Sequence, residues 1–294
     1  MGMNTRSMIF TLYGDYIRHY GNEIWIGSLI TLLKEFGHNE QAVRAAISRM
    51  YKQGWVESTK KGNKSYYYLT ERGIDRMEEA ADRIFKFKPA EWDGKWRMLM
   101  YTIPETKRNA RDEFRKELVW SGFGAMSTST WISPNDLEKQ VKNLIEKYEI
   151  EPYVDFFESE YKGPNNDSNL VEKCWNLDEI NEKYNEFISY YSQKYIIDRN
   201  KIQKGEMSDA ECFVERTSLV HEYRKFLFVD PGLPEELLPT KWLGNHAATL
   251  FSDYYRTLAE PASRFFEQVF REGNEIKHKD ESYNAMDHPL MIEP

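Results

Sequence analysis

The stretch from Asn39 to Thr70 constrains this chain more than any other. In NEQAVRAAISRMYKQGW, Val43, Ala46, Ile47 and Met50 recur at helical spacing on one face. Glu40, Gln41, Arg44, Ala45, Ser48, Arg49 and Lys52 fall outside that face. Asn39 is placed to cap the helix and Gly54 to end it. Next, Lys60-Lys61-Gly62-Asn63-Lys64 separates the runs Trp55–Thr59 and Tyr66–Leu69, which reads as strand, tight turn and strand.

The flanking sequence completes a recognisable order. Thr5 to His19 reads as a helix, with Met8, Ile9, Leu12, Tyr16 and Ile17 on its apolar side, and Gly21-Asn22 stops it. Glu23–Ile26 is short and β-like. Ser28 is placed to cap a helix through Phe36, which Gly37 terminates, and Thr70 to cap a further helix toward Phe85. Helix, strand, helix, helix, strand, turn, strand predicts a winged helix-turn-helix.

Such a helix can read DNA because its outward positions carry long donors. Arginine suits guanine edges, glutamine suits adenine, and serine and lysine suit phosphates, while a small residue such as Ala45 allows close approach. The candidate DNA contacts are Arg6, Gln41, Arg44, Ala45, Ser48, Arg49 and Lys52, with Lys60, Lys61, Asn63 and Lys64 on the turn. Taken alone, the helix is better read as a solvated face. The capped helices and basic hairpin in this order favour DNA, with a protein-binding winged helix as the competing reading.

Net charge supports a division of labour. The whole 294-residue chain carries −8, yet residues 1–72 hold ten basic side chains against six acidic ones. A head of +4 therefore precedes a remainder of −12. Cys174 and Cys212 form no disulfide framework or metal spacing, which fits reduced thiols in a cytoplasmic protein. No apolar run reaches the ~18 residues a membrane helix needs, and no secretory signal is expected.

Beyond residue 95 the grammar changes. Trp96–Ile103 alternates as a strand, Lys107–Ser121 is helical, and Phe123–Ser127 and Ser129–Ser133 read as two strands. Asp136–Lys147 is a helix and Tyr153–Glu160 a last strand, giving the βαββαβ ferredoxin-like pattern. Metal-dependent nuclease chemistry needs a carboxylate at the end of the first strand. That strand ends Tyr101-Thr102-Ile103-Pro104, with Glu105 displaced beyond it, so a dimerisation or linker role is preferred. Lys162–Ser168 reads as a boundary loop. Helices are then predicted at Leu177–Asp198, Ser208–Val229 and Asn245–Arg271, with a three-proline loop at Asp230–Leu243.

The expected class is α+β and multidomain. It comprises a winged-helix DNA-binding domain over 1–88, a ferredoxin-like dimerisation or linker domain over 95–162, a mostly helical effector-sensing domain over 170–272 and a polar tail over 273–294. His221, Arg224, Lys225, Trp242 and His246 are the candidate effector contacts, because cations near aromatics can hold a phosphate and an aryl group. Ordinary ion pairs on a helix face are the preferred explanation of them. His221-Glu222 lacks a second histidine at zinc-protease spacing, and no phosphate loop or nucleophile elbow occurs, so neither a metal site nor an enzyme is expected.

The strings RSMIFTLYGDYIRHYGNEIWIGSLITLL, AVRAAISRMYKQGWV, SYYYLTERG, WDGKWRMLMYTIPE, LVWSGFGAMSTSTWISP and HEYRKFLFVDPGLPEELLPTKWLG, in this order, resemble the PaaX family of transcriptional repressors from about Arg6 to about Phe270. The resemblance implies a middle domain similar to small CRISPR-associated nucleases but serving dimerisation. Those nucleases carry an aspartate where this chain has Tyr101-Thr102, which argues against cleavage. It further implies a homodimer on a palindromic operator, repression of phenylacetate breakdown genes, and release by phenylacetyl-CoA as effector, with no other cofactor. A regulator answering another acyl- or aryl-CoA, and a metal-dependent nuclease, are the alternatives.

Overall fold

In the computed structural model, the structure describes residues 4–85, 91–164 and 166–274. The expected linker at Lys88-Pro89 and the tail beyond residue 274 lie outside the described residues.

The N-terminal segment begins with α1 (Thr5–Asp15), where the Asn4 side chain accepts from the Ser7 amide. The helix ends earlier than the apolar pattern suggests. Tyr16 leaves helical geometry at φ −130°, and a 3-10 turn, Ile17–Tyr20, carries the apolar spacing on to Gly21. β1 (Glu23–Trp25) and α2 (Ile26–Lys34) follow, and then α3 (Glu40–Lys52), β2 (Val56–Lys61), β3 (Lys64–Leu69) and α4 (Glu71–Phe85). The strands form an antiparallel sheet in the order β1-β3-β2. Val56 pairs with Leu69 and Lys61 with Lys64, so the hairpin closes on Gly62-Asn63 alone. Gly62 sits at φ +63°, the left-handed geometry that a two-residue loop with glycine first requires.

Ser28 does not cap α2. The helix starts two residues earlier, Trp25 serves as N-cap without a side-chain bond, and Ser28 is buried in the first turns. Its hydroxyl donates to the Val269 carbonyl (3.0 Å), so a residue suited to a cap is used as a buried tertiary donor.

The second sheet contains β4 (Trp96–Tyr101), β5 (Gly124–Ala125), β6 (Thr130–Ser133) and β7 (Val154–Ser159). Helices α5 (Arg108–Trp120) and α6 (Glu138–Tyr148) occupy the two crossovers. The order is β5-β6-β4-β7, antiparallel throughout, the arrangement of a ferredoxin-like βαββαβ sheet. Leu99, Phe114, Leu118, Trp131, Val141 and Ile150 fill its core. β5 is shorter than the expected Phe123–Ser127. Where a boundary loop is expected, α7 (Asp167–Cys174) begins, its first turn capped by Asn166 accepting from the Asn169 amide (3.0 Å).

The C-terminal helices are α8 (Leu177–Gln203), α9 (Asp209–Tyr223) and α10 (Gly244–Arg271). Ser208 and Glu211 form a reciprocal capping box on α9. α9 gives way at Arg224 to a 3-10 turn, Arg224–Phe228, rather than running to Val229.

The chain divides into two compact units. One holds the N-terminal segment with Phe187–Arg224 and the stretch from His246; the other holds the ferredoxin-like sheet through Glu186 and Lys225–Asn245. The helical stretch expected over 170–272 therefore contributes to both. Among the described residues, no helix is long and apolar enough to cross a membrane.

Candidate nucleic-acid interface

Helix α3 is held by its inner face. Val43, Ala46, Ile47 and Met50 are buried, and the helix packs against α1, α2 and β2. Asn39 accepts from the Ala42 amide (2.8 Å), satisfying one of the amides a helix start leaves open. Gln41, Arg44, Ala45, Ser48, Arg49 and Lys52 are all exposed, as their helical phase requires. The Arg44 Nε donates to Glu40 (2.7 Å), an exposed pair that a competing anion can replace. Tyr51, two turns on from Arg44 in the same helical phase, is 53% exposed, and an apolar ring exposed on this helix is the signal sequence reading passed over.

The hairpin presents its four polar side chains unequally. Lys60 and Asn63 are exposed at the tip. Lys61 is also exposed, yet its ammonium pairs with Glu23 of β1 and lies 4.6 Å from the Tyr66 ring centroid. Lys64 sits 4.6 Å over the Trp25 ring and donates to the Glu272 carbonyl (3.4 Å). Arg6, on the first turn of α1, is half-buried with its guanidinium 5.7 Å from the Phe10 ring.

The hairpin sheet is also fixed from the C-terminal side. Asn274 accepts from the Trp25 amide (3.1 Å) and donates to the Glu23 carbonyl (3.1 Å), pairing with the edge strand β1 as a neighbouring strand would. Tyr66 donates to the Gly273 carbonyl (2.6 Å). Gly273 leaves room for the Trp25 ring, because a Cβ there would come within 2.2 Å of it.

The five candidate effector residues are not gathered into one unit. His221, Arg224 and His246 belong to the first, Lys225 and Trp242 to the second. His221 is buried with Nδ1 3.0 Å from the Thr11 hydroxyl. Arg224 donates to the Ser7 carbonyl (3.2 Å) and hydroxyl, and burial pulls its guanidinium down to about 10. His246 and Lys225 are exposed. Trp242 packs edge-on against Tyr184 (5.5 Å), which stacks on Phe226 (3.9 Å) and donates to Asp230 (2.6 Å). Among the described residues, no group of three or more His, Cys, Asp or Glu is placed to hold a metal ion. At the end of β4, where a nuclease would need a carboxylate, Tyr101 is buried and its hydroxyl donates to the Thr128 carbonyl (2.9 Å).

An α+β chain with a cationic helix-and-hairpin face and a ferredoxin-like middle sheet has known counterparts. Residues 4–73 match the family described as PaaX-like protein, 89–171 the PaaX protein central Cas2-like domain, and 175–268 the PaaX-like protein C-terminal domain. The chain is 34% identical over 262 residues to the transcriptional repressor PaaX of Escherichia coli, covering 88% of this chain and 82% of that protein. The chain belongs to the PaaX family. Among solved structures, an uncharacterized protein from Mycobacterium tuberculosis shares the fold, with a TM-score of 0.50 and 23% identity over 82% of this chain and 89% of that one.

Proposed function

We propose that this protein is a DNA-binding transcriptional repressor of phenylacetate catabolism genes, acting in the cytoplasm and released from DNA by phenylacetyl-CoA. The N-terminal segment is a winged helix-turn-helix in this reading, with α3 in the major groove and the Gly62-Asn63 hairpin as its wing. One observation carries it: every long donor on α3 faces outward, while Val43, Ala46, Ile47 and Met50 of the same helix are buried. The character of the Escherichia coli relative, a transcriptional repressor, supports it.

Gln41, Arg44 and Arg49 reach base edges, Ser48, Lys52 and Lys60 reach phosphates, and Ala45 lets the helix approach. Arg44 exchanges Glu40 for the DNA. A homodimer, joined through the ferredoxin-like domain, sets two copies of α3 on half-sites about one helical turn or a multiple apart, which makes the operator palindromic. Repression is steric. The effector favours a dimer geometry with the wrong half-site spacing. A tenfold weaker operator affinity requires about 1.4 kcal/mol of differential binding between the two geometries.

The test is fluorescence anisotropy of a labelled duplex from the gene's own upstream region, titrated with protein and then with phenylacetyl-CoA, free phenylacetate or free coenzyme A. Specific binding released by phenylacetyl-CoA alone supports the whole reading. Release by a different acyl- or aryl-CoA keeps the repressor and reassigns the effector. Absence of specific binding at moderate salt overturns it.

A further inference from the structure

Three polar contacts join α1 to α9 and the turn that follows it. Ser7 meets Arg224, Thr11 meets His221, and Asp15 meets Arg216. On α1 the three residues are spaced four apart, one helical turn each, so they form a single stripe. On the other side the order reverses, 224, 221, 216, as two antiparallel helices demand. The two inner contacts are withdrawn from water, and the outer one partly so. Thr11, His221, Asp15 and Arg216 are buried, and Ser7 and Arg224 are half-buried. The innermost is a small network: Arg216 donates to Asp15 (3.0 Å) and to the Tyr255 hydroxyl, which donates to Asp15 (2.6 Å), and Arg216 also reaches the Ala259 carbonyl (3.3 Å).

Apolar side chains would seal a helix pair with less desolvation cost, so buried polar contacts of this kind are informative about register. A slip of α1 by one turn would break all three at once and leave buried donors and acceptors unmatched. The stripe thus fixes where α1 lies along α9. α1 in turn packs against α3. We infer that Arg216, His221 and Arg224 are positioning residues for DNA binding: through α1 they set the placement of the DNA-reading helix, and operator affinity is controlled from α9. This rests on the repressor reading above. It gives His221 and Arg224 a role distinct from effector contact.

The full-length protein carrying Thr11→Val tests it, because valine keeps the shape and removes the hydroxyl that meets His221. Thr11→Ser is the rescue. Two readouts are taken: affinity for the upstream duplex against a scrambled duplex at one salt concentration, and amide hydrogen exchange of residues 40–52. Loss of one buried hydrogen bond at the stripe should weaken binding to the upstream duplex by on the order of tenfold. Binding to the scrambled duplex should stay within about twofold, because phosphate contacts do not need the exact pose of α3. Exchange in α3 should quicken, and Thr11→Ser should restore both. A general loss of stability would not change the ratio between the two duplexes in protein that remains folded.

Unchanged discrimination by a folded Thr11→Val protein overturns the inference, even if α3 exchanges faster, since α1 would then be held without bearing on DNA. If the parent protein itself fails to distinguish the duplexes, the repressor reading falls, and exchange alone decides the placement of α3: faster supports it and unchanged overturns it. Should Thr11→Val not fold, Ser7→Ala, which removes the hydroxyl that Arg224 holds, carries the same readouts and the same criteria.

Discussion

The first unit uses arginine in two opposite ways. Arg44 and Arg49 stand in solvent on α3, and the carboxylate that Arg44 holds, Glu40, is as exposed as the guanidinium. Arg216 on α9 has no exposed surface. Asp15, Tyr255 and the Ala259 carbonyl accept its hydrogen bonds, and the rings of Tyr16 and Tyr255 lie 4.9 and 4.0 Å from its guanidinium carbon. The difference teaches what each charge can be used for. An exposed pair contributes little to folding and is readily exchanged for a ligand. A buried guanidinium has lost its water and is tolerated where the protein supplies acceptors, so it belongs to the architecture.

The largest effect expected from this contrast is on stability. Arg216→Ala leaves Asp15 buried without its cation and should cost about 3–5 kcal/mol. Chemical denaturation of the full-length protein measures it, and a loss below about 1 kcal/mol would erase the distinction between the two arginine classes. Arg216→Met combined with Asp15→Leu and Tyr255→Phe removes the charges and hydroxyl together and should recover much of that loss. Next in size, Arg49→Ala should leave the unfolding midpoint where it is and weaken the operator complex by about 1–3 kcal/mol, if its side chain reads a base. A variant that lost stability and kept its operator would reverse the assignment.

Smaller again is the effect expected at the helix start. Asn39 holds the Ala42 amide at the turn that launches α3. Asn39→Ala should cost about 1 kcal/mol of stability, and its effect on the operator should come through fraying of the first turn near Gln41. Denaturation and hydrogen exchange of residues 40–44 check both parts.

These features were unequally legible in the sequence. The α3 face and its cap were readable because helical periodicity is local, and so was the hairpin, since Gly62-Asn63 between alternating runs has few other uses. The ferredoxin-like order followed from the alternation of Trp96 onward. The α1–α9 stripe was not readable, because its partners lie 201 to 217 residues apart and polar positions on a helix ordinarily mean solvent. A trace was present: Ser7, Thr11 and Asp15 recur every fourth residue between Met8, Leu12 and Tyr16, which are themselves buried. Ser28 misled for the opposite reason. Its position suits a cap, and its burial against Val269 depends on a segment 241 residues away. The start of α7 was hidden because Gly163, Pro164, Asn166 and Asp167 read as loop, whereas Asn166 is in fact the residue that begins the helix.

The smallest expected effect separates neighbouring lysines on the β2–β3 hairpin. Lys60 is exposed at the hairpin and can follow a phosphate. Lys61 is one residue nearer the tip, but Glu23 already neutralises its ammonium and the Tyr66 ring lies beneath it. Each phosphate contact made by a lysine adds about one to the slope of log affinity against log salt. Lys60→Ala should therefore reduce that slope by about one and weaken all duplexes alike, whereas Lys61→Ala should change it by clearly less. Glu23→Gln removes the competing carboxylate and should bring Lys61 into play, steepening the slope and tightening binding to any duplex. Salt titrations of the three variants on operator and scrambled DNA provide the comparison. Equal slopes for Lys60→Ala and Lys61→Ala would mean that the Glu23 pair opens on DNA, placing Lys61 with the exchangeable cations of α3 rather than with the fixed ones.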